Sequence, residues 1–135
     1  MPLEVIAECY RTEFPSYATG CVFKELDLFT KTGDVSHLYE VLSEKEPYEE
    51  FSTMFLEVAK HFEEGADKYG ENNWQKGLPV YCYINSAVRH YLKWIRGDDD
   101  EPHDRAFCWN IMCAIWTCNH KPKLNGYPID TTTEE

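Results

Sequence analysis

Positive charge is scarce in this sequence. Lysine and arginine number 13 against 24 aspartates and glutamates, a net charge of −11 at pH 7. Such a chain lacks the basic face that holds a phosphate backbone directly, which argues against a general nucleic-acid binder. It can still act on phosphates where divalent cations mediate the contact. No apolar run is long enough to span a bilayer, and the N-terminus carries no basic-then-apolar signal. Six cysteines occur, Cys9, Cys21, Cys82, Cys108, Cys113 and Cys118, yet no C-x-x-C pair, and the Cys113/Cys118 spacing matches no zinc site. They are read as reduced thiols that pack as small hydrophobes. Repeats, low-complexity blocks and period-two alternation are all missing, so the expected fold is an all-α bundle.

What is present fits one globular domain of 135 residues with 43% hydrophobic side chains, enough to bury its own core. Residues 1–46 show mixed patterning with turn signals at Gly20, Thr32-Gly33-Asp34 and Ser43-Glu44-Lys45-Glu46, and are expected to form an irregular, partly helical lead-in. Residues 47–120 form the expected helical core. Phe51, Phe55, Val58 and Phe62 recur on one face of a helix from Pro47 to about Gly65 or Tyr69. A loop follows, marked by Gly70, Asn72-Asn73 and Gly77-Leu78-Pro79. The next helix turns Val80, Ile84, Ala87, Val88, Tyr91 and Ile95 inward and ends at Gly97. A third runs from about Pro102 to Cys118, apolar nearly all round through Phe107, Ile111, Met112, Ile115 and Trp116, and is expected to be central. Residues 121–135 lack apolar periodicity and read as a mobile or draped tail.

Three polar features stand out against this background. On the third helix His103, Ala106, Asn110, Ala114 and Thr117 share a narrow stripe, and a buried histidine and asparagine cost free energy unless hydrogen-bonded or facing a wet cavity. Before them comes Gly97-Asp98-Asp99-Asp100-Glu101-Pro102-His103-Asp104. Acidic residues and a proline are ordinary helix-start signals, and composition alone favours such a cap, while His103 one turn from Asp100 adds weight to the alternative of a polar cavity. A second acidic set, Glu63-Glu64-x-x-Asp67, places Glu63 and Asp67 on roughly one side of its helix and Glu64 toward solvent. Between them lies a loop of glycines, amides, aromatics and lysines from Lys68 to Gly77, followed by Arg89-His90 on the second helix. Aromatics stack on bases, amides read base edges and lysines meet phosphates, although Trp74 could equally anchor its loop to the core.

The motif blocks E-x-G-A-x-K-Y-G-x-x-N-W-x-K-G, S-A-x-R-H, G-D-x-D-E-x-H and W-N-I-M follow one another in order through residues 61–115. In this the chain resembles the phage and prophage dATP/dGTP diphosphohydrolases, a family similar to the all-α, MazG-like nucleoside triphosphate pyrophosphohydrolases. The resemblance implies a compact MazG-like bundle that hydrolyses purine deoxynucleoside triphosphates to monophosphate and pyrophosphate. It implies Mg²⁺ or Mn²⁺ held by Glu63, Asp67, Asp100, Glu101 and Asp104. His103, Glu101 and His90 would serve as catalytic acid, base or phosphate contacts, and Lys68, Tyr69, Asn73, Trp74, Lys76, Arg89 and Asn110 would bind the substrate. A homo-oligomer, dimer or larger, in the cytoplasm of a bacterial host is implied as well. Asp104-Arg105 depart from the pattern, standing where the family usually has apolar or small residues. The rival reading is a non-catalytic phage module that binds and sequesters a nucleotide.

Overall fold

A computed structural model describes residues 17–43, 56–64 and 76–128 of the chain. Among them the regular structure is helical throughout: α1 (Tyr17–Thr32), α2 (Ser36–Ser43), α3 (56–64), α4 (Val80–Arg96) and α5 (His103–His120), closed by a 3₁₀ turn at Pro122–Leu124. No helix among these residues is long and apolar enough to cross a membrane. The all-α bundle expected from the patterning is therefore the fold.

The lead-in is more helical than its turn signals suggested. Gly20 lies inside α1, its weak helix propensity overridden by the burial of Val22, Phe23, Leu26 and Phe29 at helical spacing. The signal at Thr32-Gly33-Asp34 is a real break, because Gly33 takes a left-handed φ of 71°. Asp34 Oδ1 then accepts the backbone N–H of Ser36 at 2.9 Å, starting α2 in the manner of an N-cap, and this contact holds the Asp34 carboxyl below its ordinary range. The tail leans on the same turn. Asn125 Nδ2 donates to the Gly33 carbonyl at 3.0 Å and the Tyr127 ring meets Phe29 edge-on, so residues up to Pro128 are draped rather than loose. A Cβ on Gly33 would stand 2.1 Å from the Tyr127 carbonyl oxygen, which excludes any other residue there.

The core gathers Phe23, Phe29, Leu38, Ile84, Phe107 and Ile111 at full burial, with α5 in the middle. Each such large-to-alanine change would cost about 2–5 kcal/mol. On α4 the inward face is Val80, Tyr83, Ile84, Ala87, Val88 and Tyr91, whereas Ile95, expected inside, is 45% exposed because the helix outruns its partner near its end. Phe51 and Phe55 lie outside the described residues; Val58 is buried and Phe62 packs against the core, as their spacing required. The thiols behave as packing groups, with burial pushing Cys113 up to about 12 and Cys118 up to about 11. Cys82, Cys108, Cys113 and Cys118 are free.

Candidate functional site

The site is assembled at the end of α4. Gly97, at φ 91°, gives its N–H to the Trp94 carbonyl at 3.0 Å while the N–H of Asp98 reaches Lys93 at 3.0 Å. This Schellman turn reverses the chain with a glycine at the one left-handed position. The five residues from Asp98 to Pro102 then fold back over the helix end, and α5 begins at His103. No side chain caps that start. The carboxylates are thus not spent on the helix N-terminus, where their composition alone would have placed them.

Instead they surround two histidines. His103, only 2% exposed, has its Nε2 2.7 Å from Asp100 Oδ1 and its Nδ1 2.9 Å from His90 Nδ1. The rings of His90 and His103 lie 5.1 Å apart, brought together by the packing of α4 on α5. A neutral pair satisfies both contacts when His103 Nε2–H donates to Asp100 and His90 Nδ1–H donates to His103 Nδ1. Burial lowers the His90 pKa, which favours that neutral form, and the hydrogen bond to His103 holds the Asp100 carboxyl low and ionised. Glu101 Oε1 lies 3.6 Å from His90 Nδ1, with its side chain half exposed. Two sets of donor atoms result, each lying within 4.8 Å of one another: His90, Glu101 and His103, and Asp98, Asp100 and His103. Asp98 is already committed, since Arg96 donates to both of its oxygens and holds its pKa down.

The donor chemistry of the first set suits a cation. Two imidazoles and a carboxylate around one point are borderline ligands for Mn²⁺, Fe²⁺ or Zn²⁺ more than for Mg²⁺. The His103 Nε2–H···Asp100 contact is the carboxylate–histidine arrangement that fixes the tautomer of a ligating histidine. A cation between the two Nδ1 atoms would take the place of their hydrogen bond, with the His90 proton moving to Nε2.

The remaining residues singled out by sequence are distributed unevenly. Asp104 lines the same cleft, half-buried in the first turn of α5, and joins neither donor set. Glu63 is exposed and also belongs to neither set. Lys76 and Arg89 are exposed. Asn110, proposed for the substrate, is buried and donates its Nδ2–H to the Ala106 carbonyl at 2.8 Å. Asp67, Lys68, Tyr69, Asn73 and Trp74 lie outside the described residues.

One cluster escaped sequence reasoning. Glu64, read as solvated, accepts from Arg105 Nη2 at 2.7 Å, and Glu57 lies 3.6 Å from Nη1 of the same guanidinium. Arg105 is 8% exposed, and its Nε and the Trp109 Nε1 find no hydrogen-bond partner. His61 packs against Trp109 with ring centroids 5.0 Å apart. Glu57, His61 and Glu64 recur at i, i+4 and i+7, a polar stripe that meets α5. That spacing was the available signal, and it was hidden by the apolar Phe55/Val58/Phe62 face beside it.

Comparison with known proteins adds one finding to this geometry. No curated protein and no solved structure matches the chain. A family model described as dATP/dGTP diphosphohydrolase, N-terminal, matches residues 37–126, two thirds of the sequence and the whole of the described site. With its all-α bundle and its histidine–carboxylate cluster in the matched region, the chain belongs to the dATP/dGTP diphosphohydrolase N-terminal family.

Proposed function

We propose that this protein is a metal-dependent diphosphohydrolase that splits purine deoxynucleoside triphosphates, dATP or dGTP, into monophosphate and pyrophosphate. The observation that carries the reading is the convergence of His90, Glu101 and His103 within 4.8 Å in the matched region, with Asp100 behind His103. In this reading His90, His103 and Glu101 hold a divalent cation, Mn²⁺ in preference to Mg²⁺, and Asp100 holds His103. When bound, such an ion offsets the negative charge of the triphosphate and makes the attacked phosphorus more electrophilic. Residues 47–120 act as the catalytic core.

The chain's own groups account for the remaining roles. With Asp100 holding the His103 proton on Nε2, Nδ1 is the unprotonated nitrogen, which acts as a base or ligand once it exchanges its contact with His90. Glu101, half exposed at the cleft mouth, is positioned to take the proton of the attacking water. The water oxygen bonds to the α-phosphorus, the bond from that phosphorus to the β-bridging oxygen breaks, and pyrophosphate leaves with that oxygen. Arg89 and Lys76 are the exposed cations of the described residues assigned to the outer phosphates, and Lys68, Tyr69, Asn73 and Trp74 are assigned to the substrate as well. Glu63, Asp67 and Asp104 would supply further oxygen ligands. The resemblance extends the reading to a phage- or prophage-encoded homo-oligomer that remodels the nucleotide pool in the host cytoplasm.

The test is incubation of the purified chain with each deoxynucleoside triphosphate and Mn²⁺ or Mg²⁺, followed by assay of pyrophosphate. Release from dATP or dGTP, abolished by chelation, is the expected result. Tight nucleotide binding with no pyrophosphate from any of them would overturn the enzymatic reading in favour of sequestration.

A further inference from the structure

We propose that Trp94 is the stacking platform for the nucleotide base, an inference that rests on the functional reading above and adds a specificity-determining residue to it. Trp94 follows His90 by one turn of α4, so its side chain leaves the helix on the same side. It is 40% exposed, one of the largest exposed apolar side chains among the described residues. Its ring is nevertheless fixed. Tyr91 meets it at 89° with centroids 5.6 Å apart, and Phe107 at 41° and 6.4 Å.

The indole and the acidic loop line one open cleft. Trp94 and the segment from Asp98 through Asp104 line it together, around a volume of about 470 Å³. That is within the usual range for a site holding a small organic ligand. Among the described residues of this lining the only large apolar surface is Trp94, and the rest is carboxylate, proline or His103. A ligand that satisfies both carries an aromatic part for the indole and an anionic part that meets the carboxylates through a cation. A nucleoside triphosphate has this division; an inorganic polyphosphate lacks the first half and a free base the second. Stacking recognises the face of a base rather than its edge. Trp94 therefore favours purines over pyrimidines by the larger overlap and does not separate adenine from guanine.

The experiment compares the wild-type chain with Trp94→Ala and Trp94→Phe, using pyrophosphate release from dATP, dGTP and dCTP. Inorganic tripolyphosphate serves as a base-free competitor, and circular dichroism checks the fold. Trp94→Ala is expected to raise KM for dATP and dGTP by roughly 5- to 150-fold with kcat little changed. Trp94→Phe should recover much of the loss, and the purine-to-pyrimidine ratio should shrink. Tripolyphosphate should inhibit both proteins equally. An unchanged KM in a protein that His103→Ala inactivates overturns the platform and leaves the hydrolase standing. An equal loss of tripolyphosphate inhibition also overturns it, since the effect would then be on the shape of the cleft. If the wild type releases no pyrophosphate, equilibrium binding of dATP in the presence of Mn²⁺ gives the readout. The same fold-loss in Trp94→Ala then supports the platform without the enzyme, and no dATP binding by the wild type sinks both.

Discussion

Two polar clusters stand on α5 only two residues apart, one around His103 and the other around Arg105, and they resolve their charge in opposite ways. Arg105 brings a permanent cation to Glu57 and Glu64, and the Glu57 carboxyl is held low chiefly by its hydrogen bond to Lys60. The charge of that guanidinium is balanced without a ligand. Around His103, burial favours the neutral form of His90, while Asp99, Asp100, Glu101 and Asp104 line the same cleft and Arg96, the cation hydrogen-bonded there, is already paired to Asp98. Surplus negative charge beside two imidazoles is a place for a cation to bind, whereas an arginine between two glutamates is a tie between α3 and α5. Burial alone does not separate the two, since His103 and Arg105 are both nearly inaccessible. What separates them is whether the charge is already balanced.

The comparison breaks most sharply under mutation of the histidines. His103→Ala or His90→Ala should lower kcat by roughly 10²- to 10⁴-fold, while Arg105→Met, which keeps the bulk and removes the charge, leaves turnover little changed. Loss of activity in Arg105→Met with an unaltered melting temperature would show that the ion cluster belongs to the site. A smaller effect is expected one shell further out. Asp100→Asn should weaken Mn²⁺ affinity by about 10- to 100-fold, read by calorimetry, and Glu64→Gln should not alter it. Stability reverses the ranking of the clusters. Arg105→Ala should cost about 1–3 kcal/mol in denaturant unfolding, the lower end following from the partial exposure of its partners, and should leave metal affinity unchanged.

The smallest effect concerns titratable groups that belong to neither cluster. Cys113 is pushed up to about 12 from an ordinary 9.0, so the unfolded chain loses that proton first. Stability is then fully present below about pH 9 and falls as the pH rises toward 12. Melting curves from pH 8 to 10 should show the decline, and Cys113→Ala should flatten it. An equally steep decline in Cys113→Ala would assign the alkaline loss to another group.

Much of the fold was legible because burial here follows helical periodicity. Val80 to Tyr91 and the all-round apolar α5 were visible as patterns, and so was the glycine stop at Gly97. The lead-in was less legible because α1 carries Gly20 and several hydroxyl residues, and only the contacts of Phe23 and Phe29 with Tyr91 and Tyr127 outweigh their propensities. In the site, the His103–Asp100 pair could be read from i, i+3 spacing on one stretch of chain. The His90 partner could not, since its register against His103 depends on how α4 packs on α5. Glu64 faces solvent as read, but its ion pair with Arg105 was hidden for the same reason: that cation is 41 residues away in sequence.

By itself the sequence determined the helical class, the acidic balance, the turn at Gly97 and the carboxylate–histidine run that follows it, because each depends on neighbours within a turn or two. The tertiary structure alone decided how groups far apart in the chain pair with one another. It set His90 against His103 and gave Glu64 to Arg105, because charge is balanced through space across packed helices and not along the chain.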